Sequence, residues 1–411
     1  MKKNCIFITS RYPYGYHETF IENEIEYLSK NFENVYIFSY GSHAHRIRPT
    51  PPNVIVDCLG VFDMKFKHLI KLFFGLFFHG ISTKKMSLKK KMLTIYFRGG
   101  AFLAYLKAEK KIKKKNISLD DCLIYSYWLN EQSTVAWLLK KRFSSPKNHI
   151  VAISRAHRSD LYSEVNEYNF LPLQESSISN LDYIFPCSQD GASYLSIKYP
   201  LYKNKISAKF LGTIDHGLNN YVNDGTIRFV TCSNIIPVKR VLLFAEAFCI
   251  LSKKYDNLEW TCIGDGIELE TVRNLVKSAN IENKVTFLGR LENSEVLNYY
   301  KSKSVSFFVN TSESEGLPVS IMEAMSFGVP CIATDVGGTS ELVKNENGLL
   351  LNQNIDAASL SSSISRLIEY SEHRYLTLRN AARNIWVQHY SATNNYSNFY
   401  DKINAILNKF K

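Results

Sequence analysis

The sequence predicts an α/β protein built from two Rossmann-like domains that face each other across a cleft. Three observations carry that expectation. The chain has 411 residues, 45% of them hydrophobic and 21% charged, which suits two globular domains of roughly 200 residues, each able to bury its own core. Short apolar runs alternate with amphipathic helical stretches from end to end, the pattern of parallel α/β construction. The pattern restarts after DHGLNNYVNDG (215–225), a polar, Gly/Asn-rich stretch that reads as the linker.

The elements follow in order. Residues 4–9 read as a buried first strand. Thr19 opens a helix, with Glu22 completing a capping box, and Phe20, Ile21, Ile25, Leu28 and Phe32 form its buried face. Strands are expected at 35–40, 54–59, 122–128, 149–154, 182–188 and 208–212, and these close a first domain of residues 1–214. A second domain, 226–385, has strands at 227–233, 258–264, 285–289, 305–311 and 330–334, separated by helices that begin near Val241, Glu268, Ser294 and Val319. Helical stretches at 356–371, 372–389 and 393–409 end the chain, with 386–411 expected to pack back toward the first domain. In such folds ligands bind at the carboxyl ends of the strands.

Eight cysteines are scattered with no CxxC pair. This excludes a disulfide scaffold and a zinc ribbon and favours a reducing compartment. The first apolar run, 5–9, is too short for a signal peptide and is ended by Arg11. The longest, 69–81, contains Lys71 and His79 and falls short of the roughly 18 residues a membrane span needs. A cytoplasmic chain that does not cross the membrane is expected.

The net charge of +12 is uneven: residues 63–115 hold 15 Lys or Arg against two acids. Phe66, Leu69, Ile70, Leu72, Phe73, Phe74, Phe77 and Phe78 interleave there with Lys65, Lys67 and Lys71, followed by Lys84, Lys85 and Lys89, Lys90 and Lys91. A basic, aromatic-rich segment reads as an interfacial contact with an anionic membrane. The alternative is a buried helix pair with solvated lysine faces. No nucleic-acid-binding pattern accompanies the charge, so no nucleic-acid partner is expected.

The most informative stretch is NTSESEGLPVSIMEAMSFGVPCIATDVGGTSE (310–341). A strand ends, a loop follows with Glu313, Glu315 and Gly316, and Pro318 opens a helix that Gly328 caps. That loop and helix start fall at a strand's carboxyl end, where free N–H groups attract anions. Glu323 lies inside the helix. In VTCSNIIPVKRV (230–241), Lys239 and Arg240 stand between a strand and its helix, suited to phosphate oxygens. The GxG of IGDGIE, Gly264 and Gly266, lacks the third glycine of a dinucleotide fingerprint, so NAD is not supported.

These motifs resemble the family 4 retaining glycosyltransferases, which have the GT-B fold, and especially members of bacterial surface-polysaccharide (capsule, O-antigen and exopolysaccharide) clusters. EGLPVSIMEAM matches the family's paired-glutamate motif, and GVPCIATDVGGTSE and NGLLL match the family's pattern downstream of that motif. The resemblance is densest over 229–351 and thins toward the N-terminus. It implies a nucleotide-sugar side at 226–385 and an acceptor side at 1–214. It implies that Glu315 contacts the donor sugar and Glu323 holds the ribose hydroxyls, where one carboxylate can accept two hydrogen bonds. Gly316, Leu317, Pro318, Gly264, Gly266 and Leu288 (of FLGR, which ends at Arg290) join the donor site. Lys239 matches the family's phosphate lysine. The arginine before it falls on Asn234, a departure for which Arg240 is the expected replacement.

In the first domain, SRYPYGYHETFIENEI resembles the glycine-bearing first loop and helix of a subgroup often found in polysaccharide gene clusters. Gly15 is expected at the donor, and His17 and Glu18 at the acceptor. In ISRAHRSDLY, His157 matches a histidine that reaches the donor sugar, with Arg155, Arg158 and Asp160 expected on the acceptor. Ser126 stands where some members carry histidine. The resemblance therefore implies transfer of a hexose-type sugar from a nucleotide diphosphate, UDP favoured over GDP, with retention and no metal or other cofactor. His157, Glu315, Lys239 and Arg240 are the expected catalytic groups. A lipid-linked glycan is the expected acceptor, and the inner face of the cytoplasmic membrane the expected location. The alternatives are a GT-B nucleotide-sugar epimerase and a non-catalytic scaffolding subunit.

Overall fold

The computed structural model describes residues 3–41, 47–61, 67–77, 86–146 and 148–409. The expectations placed on Lys65, Phe66, Phe78, His79, Lys84 and Lys85 lie outside them. The chain divides into two compact units, Met1–Lys209 with Tyr396–Lys411, and Phe210–Asn395.

The first unit holds a parallel sheet of β1 (Cys5–Thr9), β2 (Val35–Ser39), β3 (Val54–Cys58), β4 (Leu123–Ser126), β5 (Val151–Ala156) and β6 (Tyr183–Pro186), in the order β3-β2-β1-β4-β5-β6. The second repeats the plan with β7 (Ile227–Cys232), β8 (Leu258–Ile263), β9 (Val285–Gly289), β10 (Phe307–Asn310), β11 (Cys331–Thr334) and β12 (Gly348–Leu351), in the order β12-β11-β10-β7-β8-β9. Each is a doubly wound sheet whose strand order reverses at one point, between β1 and β4 and between β7 and β10. In doubly wound sheets ligands bind at such a point, at the carboxyl ends of the strands. β1 is buried throughout, as a strand covered on both faces must be.

Several expectations change. Residues 208–212 form no strand, and the boundary falls at Lys209/Phe210, ahead of the polar segment 215–225. That segment belongs to the second unit because Asn219 is buried in it, donating to the carbonyls of Tyr300 and Lys303 and accepting from Val305 N. The capping box of Thr19 and Glu22 does not form: a 3-10 turn, Thr19–Ile21, precedes helix Glu22–Asn31, and Glu22 pairs instead with Arg48 at 2.6 Å. The chain re-enters the first unit at Tyr396, along helix Ala392–Asn408, not at residue 386.

A buried polar cluster fastens that return. Glu24 and Arg155 are both fully buried, 3.2 Å apart, and Glu24 also accepts from the hydroxyls of Tyr125 at 2.9 Å and Tyr400 at 2.8 Å. Low dielectric makes such a cluster costly to break at any one member.

The basic segment folds as helix Lys67–Phe77 against helix Leu88–Lys114. Backbones approach closely: a Cβ on Gly99 would lie 1.7 Å from the Lys71 carbonyl oxygen. The shorter helix has one exposed apolar face. Lys71 is buried and pairs with buried Glu131 at 3.1 Å, while Leu69, Phe73 and Leu76, on one face, are 67%, 58% and 63% exposed. Among the described residues no helix is long and apolar enough to cross a membrane.

Candidate functional site

The expected site residues lie at or near the carboxyl ends of the strands, with Lys239 and Glu315 at the reversal point of the second sheet. In the second unit the turn after β7 and the loop after β10 lie side by side. Glu313 N donates to Val238 O at 2.8 Å, and Thr311 Oγ1 to Arg240 O at 2.8 Å. Lys239 thereby reaches Glu315, Nζ to Oε1 at 2.6 Å. The same oxygen accepts from Ser312 Oγ at 2.7 Å and from Asn310 Nδ2 at 3.3 Å. Gly337 must be glycine here: at φ 52° its backbone sits so close that a Cβ would lie 2.1 Å from Glu315 O. Gly338 N then donates to Gly316 O at 2.8 Å, fixing the loop that leads through buried Leu317 and Pro318 into helix Val319–Ser326.

Glu323, in that helix, is buried and accepts from Asn293 Nδ2 at 2.7 Å. Burial pushes its carboxyl up to about 7, against the opposing pull of the Asn293 bond. Gly264 carries φ 139°, and a Cβ on it would lie 1.8 Å from Ser233 O, so the glycine loop packs directly on the turn after β7. Leu288, 38% exposed, stands on β9 beside it.

Arg240 requires a correction. It adopts left-handed φ 46°, which turns its guanidinium onto protein carbonyls, donating to Thr311 O at 2.7 Å, Gln353 O at 2.8 Å and Ser312 O at 3.3 Å. It staples the loop and is not presented to a phosphate. The cation that does reach the Asn234 side is Arg290, whose Nη2 lies 3.1 Å from Asn234 Oδ1 with the side chain exposed.

In the first unit the loop after β1 wraps around Glu18. The Glu18 carboxylate accepts from the backbone N–H groups of Ser10 at 3.1 Å, Arg11 at 2.5 Å and Tyr12 at 2.6 Å, and from Trp128 Nε1. Glu18 is therefore spent on shaping the loop, a correction to its acceptor assignment. The loop turns Gly15 (φ 66°), Tyr16 and His17 outward, with Arg11 Nη1 against His17 Nε2 at 2.5 Å.

His157 follows β5 in an aromatic enclosure, its ring centroid 4.6 Å from Trp128, 5.0 Å from Tyr127 and 5.6 Å from Phe20. It is buried, and neither ring nitrogen has a hydrogen-bond partner. Burial, assisted by the Arg155 charge, pushes its pKa down to about 3, so the imidazole is neutral. A buried imidazole with two unsatisfied nitrogens is what a ligand's hydroxyl would complete. Asp160 holds the backbone there, accepting from His157 N at 2.9 Å and Leu129 N at 2.7 Å, and burial raises its pKa to about 6. Arg155 cannot meet an acceptor: it is fully buried with Glu24 and donates to Lys209 O at 2.7 Å. Arg158 is half-buried at the start of the following turn. Ser126, buried, donates to Trp128 O at 2.6 Å.

Asn293 and the role of Arg290 do not stand out in the sequence. Both residues lie just past β9, and the rule that ligands gather at the carboxyl ends of strands was the signal available for them.

Known proteins share this architecture. Residues 219–384 match the family described as glycosyl transferases group 1. An uncharacterized glycosyltransferase of Methanocaldococcus jannaschii, MJ1178, is 30% identical over 283 residues, covering 68% of this chain and 74% of that one. The UDP-Gal:alpha-D-GlcNAc-diphosphoundecaprenol alpha-1,3-galactosyltransferase of Escherichia coli is 30% identical over 154 residues, 36% of this chain and 38% of that one. Other bacterial relatives are matched over a small part of their length, two of them over 29% and 36%. The structure of Anabaena HepE in complex with UDP superposes with a TM-score of 0.69 at 15% identity, covering 98% of this chain and all of that one. The fold is that of the GT-B glycosyltransferases.

Proposed function

The chain belongs to the group 1 glycosyl transferases, and on that footing we propose that it moves a hexose-type sugar from a nucleoside diphosphate, UDP before GDP, to a lipid-linked glycan acceptor in surface-polysaccharide synthesis, with retention. The observation that carries this reading is the contact of Lys239 with Glu315 at the reversal point of the second sheet, with Glu323 in the next helix. A diphosphate entering there exchanges the Glu315 carboxylate for its own oxygens on Lys239, and Glu315 is freed to accept from the sugar hydroxyls.

Departure of the nucleoside diphosphate builds charge on its oxygens while the sugar turns oxocarbenium-like. Lys239 and Arg290 oppose that charge, and Glu323 holds the ribose. Neutral His157 accepts from or donates to a sugar hydroxyl without adding a charge. The leaving phosphate oxygen takes the acceptor proton, so no separate base is required. The outward face of helix Lys67–Phe77, Leu69, Phe73 and Leu76, supports attachment to an anionic membrane at the inner face, where the acceptor would be met.

The test is calorimetric titration of UDP, GDP and ADP into the wild type, Lys239→Ala and Glu323→Ala. Binding of UDP alone, weakened by both changes, is expected. Failure of all three nucleotides to bind would remove the enzyme reading and leave a scaffolding subunit.

A further inference from the structure

A cavity of about 400 Å³ opens in the first unit between helix Leu88–Lys114 and the segment that follows Asp160, large enough for a small-molecule site. Its walls are Leu93, Phe97, Leu129, Phe170, Pro172 and Leu173, and all but Leu129 and Leu173 are only half-buried in the fold.

Several polar groups on the wall are already engaged by the protein. Gln174 donates to the carbonyls of Asp160 and Leu161 and accepts from Lys198 and Tyr199. Asn166 donates to Ser159 O and Tyr162 O, Glu131 is paired with Lys71, and Asp160 is held by Leu129 N and His157 N. The walls have hydrocarbon and aromatic surface left to offer.

The rim is cationic. Lys89 Nζ sits 4.1 Å from the ring centre of Tyr168 and Lys90 Nζ 5.1 Å from that of Phe170, two cations parked on aromatic faces of the same wall. Lys198, bonded to Gln174, is close enough to Lys90 to feel its charge. Leu88 and Met92, on the same helix as Leu93, are exposed.

We propose that this cavity seats the first part of the hydrocarbon chain of the acceptor, with the phosphate at the end of that chain held by Lys89 and Lys90. An anionic amphiphile is the occupant that satisfies an apolar wall and a lysine rim together. The cavity shares Asp160 with the mount of His157. The inference rests on the lipid-linked acceptor proposed above and adds the residues that select it.

The probe is farnesyl diphosphate, titrated by calorimetry into protein saturated with UDP so that its diphosphate cannot occupy the donor site. Inorganic diphosphate and farnesol are the head-only and tail-only controls. Leu93→Trp fills the cavity, and the double change Lys89→Ala/Lys90→Ala strips the rim at two positions outside the core. UDP affinity, measured on every variant, reports an intact fold. Farnesyl diphosphate is expected to bind at least tenfold more tightly than either control, and each variant to weaken it about tenfold with UDP affinity unchanged. Equal binding of inorganic diphosphate, indifference to both variants, or no binding by protein that takes UDP normally would each overturn the proposal. Loss of UDP binding by the wild type would instead sink the sugar-transfer reading, and the prenyl titration, run then without UDP, would still decide the cavity.

Discussion

Lys239 and Glu315 form an ion pair, Nζ to Oε1 at 2.6 Å, across the reversal point of the second sheet. In the proposed function Lys239 takes the donor phosphates and Glu315 the sugar, so this pair would give way when the donor enters. Lys239→Ala should weaken UDP at least tenfold, about 1.4 kcal/mol, in calorimetry. Glu315→Ala should leave UDP affinity within a few-fold and lower kcat instead, since its partner in turnover is the sugar. If Lys239→Ala leaves UDP affinity unchanged, the phosphate role fails.

Arg240 and Arg290 should separate cleanly. Arg240 donates to three backbone carbonyls, and its loss should cost about 2 kcal/mol of stability, read as a lower melting temperature that Arg240→Lys does not restore. Arg290→Ala, on an exposed side chain, should leave melting untouched and weaken UDP several-fold. The reverse pattern would return the phosphate to Arg240.

The pH dependence of UDP binding belongs to Glu323. Its carboxyl is raised to about 7 by burial, so it gains a proton as the pH falls from 8 to 6 and loses an acceptor for the ribose. UDP affinity should fall over that window, and Glu323→Gln should flatten the fall to whatever the phosphates of UDP contribute. His157, lowered to about 3, should add no limb to the rate profile above pH 5. For stability the sign is opposite to that of a raised group. Ionised imidazole is favoured only in the unfolded chain, so the His157 contribution is present above about 6.5 and is lost as the pH falls toward 3.

Helix Lys67–Phe77 should hold the protein on membranes. Flotation with anionic liposomes is expected to carry the wild type, and replacing Leu69, Phe73 and Leu76 by serine should release it without lowering the melting temperature, because those side chains face outward. Neutralising Lys89, Lys90 and Lys91 should weaken flotation in a salt-dependent way. Flotation unchanged in both variants would remove the membrane reading.

Arg155→Ala should destabilise by about 3–5 kcal/mol, because it strands the fully buried Glu24 carboxylate. Glu24→Gln with Arg155→Met should recover part of that loss in urea unfolding. Equal loss in the single and double variants would mean that packing, not charge, is at stake.

The sequence alone determined the alternation of strands and helices, the doubling of the fold and the places of Lys239, Glu315 and Glu323. Each follows from local spacing. A strand's end fixes where the next few residues stand, and a proline and a glycine bound the helix that carries Glu323. The basic character of residues 63–115 was equally plain in composition.

Tertiary structure decided which basic residues are drawn into the protein's own contacts. Arg240 and Arg155 look as available in sequence as Lys239 and Arg158, but a left-handed backbone turns the first onto carbonyls and a glutamate from a distant helix draws the second into the core. Glu18 is claimed by three N–H groups of a loop whose path no local rule sets. Lys71 goes inward because Glu131 waits there, and so Leu69, Phe73 and Leu76 must go outward. A buried charge is placed by the partner that compensates it, and partners far apart in the chain meet only when the sheet has closed.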